Sequence, residues 1–153
     1  MHDHNEKSTA VLNTLIATLI DSVTGYQDAA QNSDSGRFQQ MFHERAVERS
    51  KIVQGLRDEV RRLGGDPEDD GSLMGKTHQR FLDLKAAITG RDEQAIINEV
   101  ERGEDYLKGK FLAALKSDDL DADCRALIEQ AFESVKSGHD EVSQIKHQME
   151  ATS

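Results

Sequence analysis

The sequence predicts an all-α domain built as a four-helix bundle with a long central connection. Apolar residues recur at helical spacing along four long segments, the single proline lies between the second and third of them, and the two outer connections are short. The chain has 153 residues, of which 36% are hydrophobic and 31% are charged. That length fits one domain that can bury a core without disulfides or metal.

The first two predicted helices form a hairpin. The first helix covers about residues 8–32 and the second about residues 37–63, with a short turn between them. Gly64 follows the second helix and, with the next glycine, provides a C-terminal glycine stop. We expect residues 1–7 to be a flexible tail and residues 8–150 to be the single folded domain.

The second hairpin is separated from the first by a connection that contains its own short helix, at about residues 77–89. Asp92 can cap the third long helix, which extends to about residue 116, and the last helix covers about residues 122–149. A short helix of this length spans about 20 Å, enough to carry the chain back along the bundle. A long crossover between two helical hairpins is the ferritin-like topology. The alternative is a plain up-down bundle with a decorated loop.

Two arginines on the apolar stripe of the second helix predict a polar layer inside the bundle. A buried guanidinium keeps its charge, so it must be paired or must reach solvent. Parallel second and third long helices would place Arg45 near Glu101 and Arg49 near Asp105. The predicted layer joins a phenol, two guanidiniums, a carboxylate and an imidazole: Tyr26, Arg45, Arg49, Glu104 and His139. Small residues would leave room for these side chains: Gly103, Ser134 and Gly138. The alternative is that both arginines extend to solvent along the helix edge.

Four stretches of the chain carry a resemblance to a known family: LNTLIATLIDSVTGYQDAA, GGDPEDDGSLMG with His78 close behind it, EVERGEDYLKGKFLAAL and GHDEV. They resemble an uncharacterised bacterial family of ferritin-like four-helix-bundle proteins, some of whose members are linked to stress responses. The resemblance covers nearly the whole chain and implies the ferritin-like fold. It implies no established activity and no catalytic residue.

The sequence lacks the motif of a ferritin-like di-iron site. Such sites use one Glu on each of two helices and a Glu-x-x-His pair on each of the other two, because residues three apart share a helix face. No glutamate in the long helices has a histidine three residues after it. We therefore expect no cofactor and assign no catalytic residue. If metal is bound, the fallback ligands are Glu104, His139 and Asp140.

Composition argues against some classes of partner and indicates a cellular compartment. The net charge of −10 argues against nucleic acid and anionic membranes as partners, since both attract Lys and Arg. The single Cys124 fits a reducing, cytoplasmic compartment, and its place beside the apolar stripe predicts a packed thiol. His78 is expected to cap or pack the short helix.

The leading interpretation is a non-catalytic, stress-associated interaction or protective module. Its partner would be an unknown protein or a second copy, with Gly25 on the first helix as a candidate position for close approach. The alternative is a divergent metal-binding oxidoreductase that handles iron or peroxide. The sequence therefore does not decide whether the protein is an enzyme, although the missing Glu-x-x-His motif argues against it. A further alternative is a small-molecule binder in the space beside Gly103 and Gly138.

Overall fold

The computed structural model describes residues 2–33, 35–69, 78–90 and 92–152, with side chains for all of these except residues 2–4 and 78–83. In that part of the chain it contains five helices and no strand. They are α1 (His2–Asn32), α2 (Gly36–Arg62), α3 (His78–Gly90), α4 (Glu93–Leu115) and α5 (Ala122–Thr152). The all-α prediction is confirmed, but α1 starts six residues before the predicted residue 8, so residues 2–7 continue that helix.

The helix ends have the predicted capping chemistry. The side chain of Asp92 accepts hydrogen bonds from the backbone N–H groups of Gln94 and Ala95 at the start of α4. At the end of α2, Gly64 takes a φ of 85°, and the next N–H donates to the carbonyl of Val60 at 3.0 Å. A left-handed glycine with this bond is the Schellman stop, which glycine favours because it has no Cβ.

Contacts between chain ends define the topology. The Ser8 hydroxyl near the start of α1 donates to the Asp119 carbonyl in the α4–α5 turn, and Arg62 at the end of α2 pairs with Asp121 at 3.4 Å. Thus α2 and α4 both finish at the same end of the bundle and run parallel. Because α1–α2 and α4–α5 are joined by short turns, the chain forms two antiparallel hairpins linked by the crossover that holds α3.

The crossover helix covers the α1–α4 side of the bundle. Its buried residues Leu84 and Ile88 belong to the core, and α3 contacts both α1 and α4. A Cβ added to Gly25 would lie 3.3 Å from a methyl carbon of Leu84. The expectation that Gly25 admits a second copy is therefore wrong, because α3 occupies that approach. The side chain of His78 lies outside the described residues.

The buried apolar residues form two clusters, one above the other. The first contains Leu12 to Leu19 of α1 and Val53 to Val60 of α2, while the second contains Tyr26 and Ala29 of α1. On every long helix a short gap separates the two clusters. The residues in those gaps form the centre of the site described below, which extends to Tyr26 of the second cluster. No helix in the described part of the chain is both long and apolar enough to cross a membrane.

Candidate functional site

A buried ion pair crosses the centre of the bundle from α2 to α4. Arg49 donates from Nη1 to Glu104 Oε1 at 2.8 Å and from Nη2 to Oε2 at 2.6 Å. The exposed fraction is 0% for Arg49 and 2% for Glu104. Two parallel charge-assisted hydrogen bonds hold both the direction and the level of the two side chains. Burial lowers the pKa of Arg49, but the Glu104 carboxylate outweighs burial and raises it above its usual value.

The other two long helices complete this level of the bundle. Ser22 on α1 accepts a third hydrogen bond from Arg49 Nη1 at 2.8 Å. On α5, a Cβ added to Gly138 would lie 2.5 Å from Arg49 Nη2 and 3.1 Å from Glu104 Oε2. A real Cβ does not approach another atom to 2.5 Å, so any larger residue here would force the Arg49 guanidinium to shift, and glycine lets α5 pass the ion pair without that shift. The prediction that Gly138 leaves room for long side chains matches this geometry.

Gly103 does not share that role. Nothing lies within 4 Å of a Cβ added there, whereas its neighbour Glu104 points into the core. Neither glycine supplies a small-molecule cavity, since the guanidiniums of Arg49 and Arg45 fill the space beside Gly138 and Gly103 faces open space.

Tyr26 borders the pair from α1. Its side chain is 4% exposed, its ring packs on Phe42 with centroids 5.8 Å apart, and the Arg49 Cζ lies 5.6 Å from its ring centroid. The hydroxyl has no partner in hydrogen-bonding geometry among the described residues, although Glu104 lies close enough to act on it. Burial raises the pKa of Tyr26 well above its usual value, and the Glu104 charge raises it further. Tyr26 therefore stays neutral.

Arg45 sits one turn from Arg49 and faces the seam between α2 and α5. It donates to Glu48 at 2.7 Å and to Glu141 at 2.8 Å, and the Ser134 hydroxyl donates to Glu48 at 2.5 Å. Burial would raise the pKa of Glu48, but the hydrogen bonds from Ser134 and Arg45 lower it. Arg45 thus joins α2 to α5 at the rim, next to the buried pair.

His139 lies at the α4–α5 rim instead of in the layer. Its Nε2 is 2.5 Å from Asp105 and its Nδ1 is 3.2 Å from Asp140, and no described hydrogen bond or ion pair joins it to Arg49 or Glu104. Partial burial lowers the pKa of His139, but Asp140 and Asp105 outweigh it and raise the pKa above its usual value. Among the five predicted residues, hydrogen bonds join only Arg49 and Glu104. Tyr26 packs beside that pair, whereas Arg45 and His139 lie at the α2–α5 and α4–α5 rims.

The level match was less accurate than the predicted layer. It placed Arg49 near Asp105 and Arg45 near Glu101, but Arg49 pairs with Glu104, the carboxylate predicted for the layer, and Glu101 pairs with Lys146 at 2.9 Å. The sequence prediction missed Ser22 and Glu141. Ser22 lies four residues before Tyr26 on the same face of α1, and this spacing was a signal that could have found it.

The residues at this level do not fit a ferritin-like di-iron site. Both oxygens of Glu104 are bound by Arg49, and the guanidinium puts positive charge where inward ligands would hold cations. Among the described residues, no group of three or more His, Cys, Asp or Glu is placed to hold a metal ion. The fallback set of Glu104, His139 and Asp140 is divided between the core and the rim.

Cys124 is fully buried at the start of α5, as the packed-thiol prediction requires. Burial raises its pKa to about 11, and the charges of Glu59 and Asp121 contribute in the same direction. The α5 terminus therefore does not activate this thiol.

Comparisons with known proteins agree with the architecture. A family model described as a domain of unknown function, DUF2383, matches residues 7–117. Among solved structures, the chain is similar to the bacterioferritin of Desulfovibrio desulfuricans, whose structure is described by its diiron site in different catalytic states. The TM-score is 0.83 at 18% identity, covering 98% of this chain and 84% of that one. At that identity the likeness shows the ferritin-like fold. A search of curated proteins finds no significant match.

Proposed function

The chain belongs to the DUF2383 family, and we propose that it acts as a metal-independent ferritin-like bundle, a stress-associated interaction or protective module without catalytic activity. The observation that carries the proposal is the pair of Arg49 and Glu104 at the centre of the bundle. A ferritin-like oxidase directs several carboxylates and histidines inward to bind two irons. Here the inward carboxylate is neutralised by an arginine that donates two hydrogen bonds to it.

The ion pair supplies the cohesion that a metal centre would otherwise provide. It links the two parallel helices, and Ser22 and Gly138 bring the remaining two long helices to the same level. A bundle held in this way needs no metal to fold. Its activity would then lie on its surface, through binding to another protein chain. A cytoplasmic location belongs to the same proposal and is supported by the single, buried cysteine.

Iron binding is the test. Untagged protein, purified without chelator, is challenged with ferrous iron under anaerobic conditions, and bound iron per chain is measured by elemental analysis after desalting. We expect no stoichiometric iron and the same melting temperature with and without iron. About one or two tightly bound irons per chain, the occupancy of a di-metal site, would contradict the proposal.

The second candidate function is a divergent iron- or peroxide-handling oxidoreductase, which the fold shared with a diiron bacterioferritin supports. Under that function Glu104 must release Arg49 and bind metal. Glu104→Ala would then abolish iron binding. Glu101→Ala is the matched control, because it removes the same charge from α4 at a partly buried residue paired with Lys146. Loss of iron in the Glu104 variant alone would favour this candidate.

A further inference from the structure

An exposed stripe on α2 has an ordered charge pattern. Seven residues spaced alternately three and four apart are all exposed: Arg37, Gln40, Glu44, Val47, Lys51, Gln54 and Asp58. This spacing keeps them on one side of a helix, as in the seam of a coiled coil. Every seventh residue is charged, and the sign alternates from Arg37 to Asp58. We call these seven residues the α2 stripe.

The centre of the α2 stripe is apolar. Val47 is 43% exposed and is one of two large hydrophobic residues that are exposed in the described part of the chain, the other being Leu112 on α4. A single exposed valine is ordinary on a protein surface. Val47 lies near the middle of the stripe, with one positive and one negative residue on each side of it. This arrangement of charges is the feature that points to a partner.

The charge pattern is complementary to itself when one copy is turned end for end. A two-fold axis beside Val47 would place Arg37 opposite Asp58 of the second copy and Glu44 opposite Lys51 of the second copy. Two-fold symmetry repeats each match, so four pairs of opposite charge flank two valines at the axis. A parallel, in-register arrangement would instead oppose identical charges. The geometry points to an antiparallel, two-fold dimer that forms through the α2 stripe, and we propose a second copy of this chain as its occupant.

Space beside the stripe allows a close approach. Nothing lies within 4 Å of a Cβ added to Gly55, which adjoins Gln54. Near the other end of the stripe, a groove of about 470 Å³ lies between α2 and α5 and is lined by residues that include Met41 and Ile145. In the two-fold arrangement, the last turns of the second copy's α2 would lie beside that groove.

The overall charge of −10 repels two copies at long range, so the matched charges select the surface and orientation more than they supply affinity. The dimer rests on the proposed function, because it identifies the protein chain that the bundle would bind as a second copy. It uses only the outer surface of α2, so the iron measurement and an assembly measurement fail independently of each other.

A charge exchange tests the dimer. In sedimentation velocity over a concentration series, wild-type protein should form a dimer, and Lys51→Glu should weaken it roughly tenfold or more, because Glu44 then opposes a like charge twice. Glu44→Lys combined with Lys51→Glu should restore it. Lys136→Glu makes the same charge change at an exposed residue of α5 and should leave the dissociation constant unchanged. Unchanged melting temperatures show that the variants fold.

Cross-linking tests the axis. Val47→Cys should form an intermolecular disulfide under mild oxidation, whereas Leu112→Cys, at an equally exposed residue, should not. A strictly monomeric wild type, failure of the charge exchange to restore association, or equal cross-linking of the two cysteine variants would each overturn the proposal.

Discussion

Breaking the buried pair on one side should destabilise the bundle far more than removing both partners. Glu104→Leu leaves the Arg49 guanidinium buried with Ser22 as its remaining acceptor, and Arg49→Met leaves the Glu104 carboxylate buried without a counter-charge. Each change removes two hydrogen bonds between charged groups, worth about 1.5–3 kcal/mol apiece. Removing one partner of a buried ion pair typically costs about 3–5 kcal/mol, so we expect that loss in each single variant.

The double variant, Arg49→Met with Glu104→Leu, should recover most of that loss. With both charges gone, the two introduced apolar side chains can join the apolar clusters above and below, and replacement of a whole buried pair is often neutral or stabilising by about 1–4 kcal/mol. We expect the free energy of unfolding to lie within about 2 kcal/mol of wild type. At roughly 2–4 °C per kcal/mol for a chain of this size, the single variants should melt roughly 6–20 °C lower.

Urea denaturation followed by circular dichroism measures these free energies, provided that the m-value is unchanged. The control cycle uses Glu101→Leu and Lys146→Met, the partly exposed pair between α4 and α5, whose coupling should be about 1 kcal/mol or less. If the effects at Arg49 and Glu104 simply add, with coupling below about 0.5 kcal/mol, the two residues are energetically independent and our account of the bundle centre fails.

Three further predictions follow from the same region and from Cys124. Gly138→Ala should lose about 1–3 kcal/mol of stability in urea denaturation, because the new methyl overlaps Arg49, whereas Gly103→Ala, facing open space, should gain about 0.5–1 kcal/mol. The raised pKa of His139 means that folding favours the protonated imidazole, so its stabilisation is complete below the unfolded pKa of about 6.5 and is lost as pH rises through the higher folded value. Raising the pH from 5.5 to 8.5, roughly the histidine range, should therefore lower the urea midpoint of the wild type more than that of His139→Gln. Equal changes in the two proteins would show that His139 does not contribute to the pH dependence of stability. Cys124, with its pKa raised to about 11, should react with a thiol reagent at the rate of unfolding, and fast labelling of native protein would contradict its burial.

The sequence predicted the helices well because their signals are local. Helical spacing of apolar residues, the aspartate cap of α4 and the glycine stop of α2 act within a turn or two of the chain. The start of α1 was misplaced because residues 2–7 lack a strong apolar stripe, yet Ser8 packs against the α4–α5 turn at that end of the bundle.

The residues of the site were partly predictable for a similar reason. An arginine on an apolar stripe must find a partner, and this reasoning alone selected Arg49 and a carboxylate on α4. It put Glu104 in the layer although the level match placed Asp105 nearer Arg49, because successive residues on a helix point about 100° apart and the final pairing depends on how α4 is rotated. The same ambiguity placed His139 in the layer and left Ser22 out of it.

By itself, then, the sequence determined which segments are helical, where they stop, that the connection between the hairpins is long, and that charge must enter the core. These follow from spacing and composition within single segments. The tertiary structure decided the relative rotation and level of the helices, which join Arg49 to Glu104 across the bundle and bring Gly138 against both side chains. Those choices arise from packing between segments that are distant in the chain, where an error of one residue turns a buried partner into an exposed one.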